Sequence, residues 1–146
     1  MTDIVLRKWF YDELHDIFAA MTPPVPDTHV AWPGTIFDSA RIPADETYWK
    51  PYMIVPEPEA HAVGRGARNI YDGVFQVSMF APIGIDELRL INITSPITEH
   101  FKRGVQYSET GVFCVYCNQA YIAHSGRDKN RWQIVIRVKF RATILN

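Results

Sequence analysis

The sequence predicts an α+β fold, with a mainly antiparallel sheet, two main helices packed on it and a long β-hairpin loop. Three observations predict it. Residues 2–21 and 85–103 repeat apolar side chains at helical spacing. Several other runs are rich in β-branched and aromatic residues and are bounded by Gly, Pro and Asn. Those runs cluster by hairpin and do not alternate regularly with helices. A length of 146 residues fits one domain spanning 1–146, at about 100–200 residues per domain.

The first element is an amphipathic helix from Thr2 to about Met21. Thr2 suits an N-cap and Asp3 suits the positive end of the helix dipole. Leu6, Phe10, Leu14, Ile17 and Met21 form its apolar stripe, and Pro23-Pro24 ends it. Val30–Trp32 and Thr35–Phe37 read as short strands around the Pro33-Gly34 turn. Thr47–Val55 reads as a strand whose Pro51, lacking an amide donor, belongs at a sheet edge or bulge. Residues 56–69, with Gly64-Arg65-Gly66, read as the long hairpin loop.

Gly73–Pro82 is the next strand. Phe75, Val77, Met79 and Ala81 share one face, and Val74, Ser78 and Phe80 share the other with Gln76. Apolar residues on both faces predict a central strand covered on both sides. The second helix, 85–103, carries Leu90, Ile93, Ile97 and Phe101 as its stripe, with Gly104 as a stop. Pro96 removes the bond to the Asn92 carbonyl and predicts a kink or a split. Gly111–Cys117 reads as a strand, and Gln119–Ala123 as a partner for it. Ser125–Asn130 reads as a polar turn. The last strand alternates Trp132, Ile134, Ile136, Val138, Phe140 and Ala142 with Gln133, Val135, Arg137, Lys139 and Arg141. One face is apolar and the other mainly basic.

Composition narrows the function. An apolar fraction of 47% with 21% charged residues excludes intrinsic disorder. No apolar run reaches the ~18 residues of a membrane-spanning helix, and Met1–Ile4 does not open a signal peptide. The expectation is therefore a soluble protein used where it is made, with no membrane partner. Fifteen basic against 16 acidic residues, net charge -1, argue against a protein that coats nucleic acid. Near-zero net charge and a 13% aromatic fraction suit a protein that associates with others.

The motifs point away from chemistry. Cys114 and Cys117 form a C-x-x-C on a predicted strand, where they face opposite sides, and no second pair completes a zinc site. Gly64–Arg68 lacks the ending of a P-loop and is no dinucleotide fingerprint. His15, His29, His61, His100 and His124 show no paired ligand spacing, and His100 reads as a core-edge residue. No Gly-x-Ser-x-Gly elbow occurs, and Ser125 beside His124 has no acidic third member in view. No catalytic, metal or cofactor residue is expected, and no cofactor. The row Arg137, Lys139 and Arg141 reads either as a charge-protected sheet face or as an electrostatic docking strip for an acidic partner or a phosphate backbone. No aromatic residue interrupts the basic row along that strand face, which weakens a stacking platform for single strands.

The order of features resembles the phage tail terminator family, which includes the lambda tail terminator. The resemblance rests on the N-terminal helix, the Pro-rich stretch with Val30-Ala31-Trp32-Pro33, and Tyr52–Val55 leading into a Gly/Arg loop. Tyr71–Pro82 is similar to the family's Gly-Ile-Phe-Gln-Val strand ending in Ala-Pro, and Phe101-Lys102-Arg103-Gly104 to its helix ending. Pro96 and the C-x-x-C depart from the pattern. The resemblance implies a structural, non-enzymatic virion protein at the top of the tail tube, in the neck. It implies a homohexameric ring that caps the tube, stops its polymerisation and presents the head-joining surface. The implied partners are further copies of itself, the tail tube protein and the head–tail connector protein, with transient contact to genomic DNA in the lumen. A head–tail connector component is the alternative, and after it a small nucleic-acid-binding module or an enzyme of unrecognised type.

The candidate oligomer interface is the 57–71 segment, with His61, Val63, Arg65, Arg68 and Tyr71. Arg65 and Arg68 are expected to pair with Asp38, Asp45 or Glu46 of a neighbour. Arg137, Lys139 and Arg141 are the candidate partner-facing strand.

Overall fold

The structure, a computed structural model, describes residues 2–55, 59–60, 68–102, 106–109, 112–116 and 119–145. In chain order the elements are α1 (Thr2–Ala20), β1 (Tyr48–Ile54), β2 (Glu59–Ala60), β3 (Arg68–Pro82), α2 (Glu87–His100), β4 (Gln106–Glu109), β5 (Val112–Tyr116), β6 (Tyr121–Asp128) and β7 (Arg131–Leu145). The fold is α+β. The strands form one antiparallel seven-stranded sheet in the order β1-β3-β7-β5-β4, with β2 on β3 and β6 on β7.

The spine is the β3–β7 pair, in register from Arg68↔Leu145 to Pro82↔Arg131. Side chains alternate across a strand, so this register assigns every β3 and β7 residue to a face. Phe75, Val77, Met79 and Ala81 lie with Ile134, Ile136, Val138, Phe140 and Ala142 in the buried core. Both helices pack on that face. Phe10 of α1 centres the contact, with ring centroids 4.8 Å from Phe75, 5.0 Å from Phe140 and 6.0 Å from Phe101. Leu6, Leu14, Ile17 and Phe18 extend the α1 stripe into the core. Thr2 is the first helical residue and not a cap outside the helix.

Gly73 is required by packing. It faces Phe140 across the ladder. A Cβ there would lie 2.8 Å from the Ile54 carbonyl oxygen and closer still to the Phe140 ring. The glycine lets the phenyl ring lie over the strand and reach Phe10.

α2 is shorter than the predicted 85–103. Asp86 caps its start by accepting from the Leu88 amide at 3.4 Å, and Phe101 ends it with its amide donating to the Ile97 carbonyl. The predicted Gly104 stop lies outside the described residues. Pro96 sits inside an unbroken helix, so the split predicted as one outcome does not occur. The Asn92 carbonyl, which loses its usual amide donor to Pro96, accepts the Ser95 hydroxyl at 2.8 Å instead. The buried stripe is Leu90, Thr94, Ile97 and Phe101, while Ile93 is 39% exposed. Thr94 takes its place because its hydroxyl donates to the Ile91 carbonyl at 2.7 Å and is satisfied inside the helix.

Several other expectations change. Val30 makes an isolated bridge to Trp49, and Thr35–Phe37 is not a strand. The polar turn predicted at 125–130 shrinks to Lys129-Asn130, because β6 extends to Asp128. β6 pairs with β7, and β5 takes β4 as its other neighbour, so Gln119–Ala123 does not pair with the Cys114 strand. β1 and β3 are the antiparallel arms expected on either side of the long loop, but β3 begins at Arg68 and β2 pairs on it. The rest of the loop, 56–58 and 61–67, lies outside the described residues.

Pro51 does lie on an edge strand. The Trp49 carbonyl accepts from Ala31 on the side away from β3 at 2.8 Å. Pro51 shares that parity, so its missing N–H falls on the outer edge and costs the ladder nothing.

Gly73→Ala is expected to destabilise the fold by about 1–3 kcal/mol through overpacking against Phe140, read as a lower midpoint in urea unfolding.

Candidate functional site

The helices cover one face of the sheet, and the opposite face is covered only in part. Both predicted covers of β3 are therefore not complete. At one end, Tyr48 and Phe80 are cross-strand partners whose rings stack at 4.8 Å with an interplanar angle of 11°. Phe37 packs on Tyr48 at 5.6 Å. Lys50 places its ammonium 5.3 Å from the Phe80 ring.

Arg131 closes this end. It is 7% exposed, and its guanidinium lies 4.9 Å over the Tyr48 ring. It donates to the Pro43 carbonyl at 2.9 Å, the Ile42 carbonyl at 3.3 Å and the Glu46 carbonyl. A planar five-donor group suits three carbonyls on one loop, and it pins residues 42–46 to the sheet. No sequence signal distinguishes Arg131 from the exposed arginines nearby; the requirement appears only when the loop folds back.

Past Ser78 and Val135, which are still buried, the described residues leave the face exposed. The register builds it in rows. Tyr52, Gln76, Arg137 and Tyr121 align across β1, β3, β7 and β6. Ile54, Val74 and Lys139 form the next row, and Asp72 and Arg141 the next. Tyr52 is 57% exposed and Ile54 47%. Arg141 holds Asp72 in a two-bond fork at 2.7 and 3.0 Å. The fork keeps the Asp72 carboxyl below the usual carboxylate range, chiefly through the hydrogen bond from Arg141. Arg137 donates to the neutral Gln76 amide oxygen at 3.0 Å, and the Lys139 ammonium lies 6.0 Å from the Tyr121 ring. Among the described residues, Arg137 and Lys139 therefore leave uncancelled positive charge on this face.

All three basic residues of the predicted strip, Arg137, Lys139 and Arg141, lie on this open face. The expected lack of aromatics holds along β7 but not across the face, because Tyr52 and Tyr121 arrive from neighbouring strands. Of the candidate interface segment, Tyr71 is opposite Ala142 and packs half-buried against the core, on the helix-covered side. Arg68 opens β3 opposite Leu145. His61, Val63 and Arg65 lie outside the described residues, as does Cys117, while Cys114 lies in β5. Of the candidate acidic partners, Asp38 caps a short 3-10 turn through the Ala40 amide, and Glu46 bonds His29 at 2.8 Å. Among the described residues Asp45 has no such partner.

Chemistry-bearing groups are occupied by structural bonds. The Ser125 hydroxyl accepts from the Trp132 indole at 3.0 Å and donates to Glu87 at 3.3 Å. His100 bonds Glu13 at 2.6 Å and packs edge-on to Phe101, joining α1 to α2. A groove of about 870 Å³ lies between the end of α1, the Pro23–Pro26 stretch and α2, lined by Met21, Trp49, Arg89, Ile93 and Pro96. Among the described residues no group of three His, Cys, Asp or Glu could hold a metal ion. No described helix is long and apolar enough to cross a membrane.

A family model described as phage tail terminator protein matches residues 7–140. A solved structure is similar at 22% identity with a TM-score of 0.72, covering 97% of this chain and 96% of the other. That likeness concerns the fold. No curated protein matches the chain.

Two substitutions check the geometry of this face. Arg131→Met is expected to cost about 2–4 kcal/mol, because three carbonyls lose their donor, and to lower the thermal midpoint by several degrees. Arg141→Gln is expected to return the Asp72 carboxyl to the ordinary range, followed by NMR titration of its carboxyl carbon. Because the folded-state value is depressed, the pair stabilises above the unfolded carboxylate range and its contribution fades as pH falls through the folded value. The pair is solvent-exposed, so the stability change stays below about 1 kcal/mol.

Proposed function

The chain belongs to the phage tail terminator protein family, a structural component of the phage tail, and on that premise we propose that it forms a homohexameric ring on the tail tube. The ring caps the tube, stops its polymerisation and offers its other side to the head–tail connector protein. The observation that carries this reading is the open sheet face. Exposed Tyr52, Ile54 and Tyr121 lie beside the charges of Arg137 and Lys139. Aromatic rings mixed with arginine are what interface cores favour.

Two of the sheet's edge strands, β1 and β6, are poor sites for association. Pro51 removes a donor from the β1 edge, and β6 carries a register shift between Ile122 and His124. Such features blunt an edge against pairing. With those two edges blunted, this reading assigns association to the exposed sheet face. A closed ring needs two different patches on each copy, meeting head to tail, and a stable contact buries about 1,200–2,000 Å². The 57–71 segment adds a further contact in this reading, with His61, Val63, Arg65, Arg68 and the exposed part of the half-buried Tyr71 toward a neighbour and Asp45 as the available acidic partner. Genomic DNA passing the lumen would meet the ring through weak, salt-sensitive contacts.

A second reading has support in the row Tyr52–Gln76–Arg137–Tyr121, which combines stacking rings with a cation as single-strand nucleic-acid platforms do. It predicts binding to oligonucleotides with a steep salt slope. The ring reading predicts none at physiological salt.

The ring is tested by native mass and by imaging on purified tubes. The protein is expected to appear as a sixfold cap at one tube end and to halt further tube growth in vitro. Deleting residues 62–67 is expected to reduce the oligomer and leave the far-ultraviolet spectrum of the monomer intact. A deletion variant that keeps its oligomeric mass removes that segment from the interface.

A further inference from the structure

We infer that the open sheet face of one copy docks on the acidic helix side of the next, with Arg137 and Lys139 set against Asp16 and Asp27. The inference rests on the ring reading and names which two patches meet. Any occupant of the sheet face must do two things. It must cover the exposed Tyr52, Ile54 and Tyr121, and it must bring negative charge to Arg137 and Lys139.

The far side of the same molecule meets both demands. The solvent stripe of α1 runs Ile4, Lys8, Asp12 and Asp16 at four-residue spacing. Lys8 and Asp12 cancel each other in an ion pair at 2.5 Å. Asp16 is left, and beside it His15 lies 3.4 Å from Asp27, on the segment that follows α1. Among the described residues neither Asp16 nor Asp27 has an Arg or Lys partner. Ile4, 58% exposed, offers apolar surface at the other end of the stripe.

The whole-chain charge of -1 conceals this segregation. Among the described residues, the cations without an acidic partner on the open sheet face are Arg137 and Lys139, and the acids without an Arg or Lys partner beside α1 include Asp16 and Asp27, while Lys8–Asp12 and Asp72–Arg141 cancel within their own layers. The two patches lie on opposite layers of the fold, so one copy cannot satisfy itself, and two sheet faces repel each other. Head-to-tail docking satisfies both patches at once. Complementary charge also gives the contact its register and speeds encounter.

The test uses two double variants of the full chain. The sheet variant carries Arg137→Glu and Lys139→Glu, and the helix variant carries Asp16→Lys and Asp27→Lys. All four sites are on the surface, and circular dichroism with thermal unfolding checks that each variant folds. If either variant is impaired, Arg137→Gln with Lys139→Gln and Asp16→Asn with Asp27→Asn replace the pair, and each is expected to weaken association. Native mass is read free in solution and on purified tail tubes.

Each charge-reversed variant alone is expected to weaken self-association about tenfold or more. An equal mixture is expected to regain the wild-type mass with a 1:1 composition. In an alternating ring the reversed sheet meets the reversed helix side, and the unchanged sheet meets the unchanged helix side. An even-membered ring closes in this way. A single charge-reversed variant that keeps its oligomeric mass, or a mixture that does not recover, overturns this docking while leaving the ring in place. A sheet variant that assembles normally but no longer binds tubes also overturns it, assigning the face to the tube. A wild-type chain that is monomeric both free and on tubes overturns the ring reading and the docking with it.

Discussion

Fifteen residues of β3 pair with fifteen of β7, and the rest of the molecule depends on that ladder. With a two-residue repeat, a slip of β7 by one position would send Val138 and Phe140 to the solvent side and bring Arg137, Lys139 and Arg141 into the core. The register is held by two features that tolerate no slip. Gly73 must face Phe140, because no other residue leaves room for the ring. Asp72 must face Arg141, where the two-bond fork forms. One feature is packing on the inner face and the other is charge on the outer face, one residue apart.

The two faces have different fates. The inner face is closed by α1 and α2 around Phe10, and His100–Glu13 ties the helices together at its margin. The outer face is closed at one end only, where Arg131 satisfies loop carbonyls and stacks on Tyr48. A buried arginine paired with carbonyls and a ring, without a carboxylate, fastens the proline-rich segment and marks where coverage stops. Past that point the sheet presents Tyr52, Ile54, Arg137 and Lys139 to solvent, the surface on which the proposed association rests.

Several of the described polar groups serve architecture. Ser125, His29 and His100 each spend their hydrogen bonds on joining elements.

Local chemistry decided much of this in advance. The stripe from Leu6 to Ile17, the edge position of Pro51, the central place of Gly73–Pro82 and the apolar-basic alternation of β7 follow from periodicity and from the missing donor of proline, which act over a few residues. So does the family, since motif order is a property of the chain. What periodicity could not supply was any fact that depends on which strands become neighbours. That Tyr121–Ala123 would open a strand on β7, that Tyr52 and Tyr121 would flank Gln76 and Arg137, and that Arg131 would be buried under a distant loop all require pairings far apart in sequence. Nor did periodicity show that the Ser95 hydroxyl would give the Asn92 carbonyl a donor beside Pro96, or that Thr94 would displace Ile93 from the stripe. Register and burial are long-range properties, set when the whole sheet closes, and the surface proposed to bind exists only after they are set.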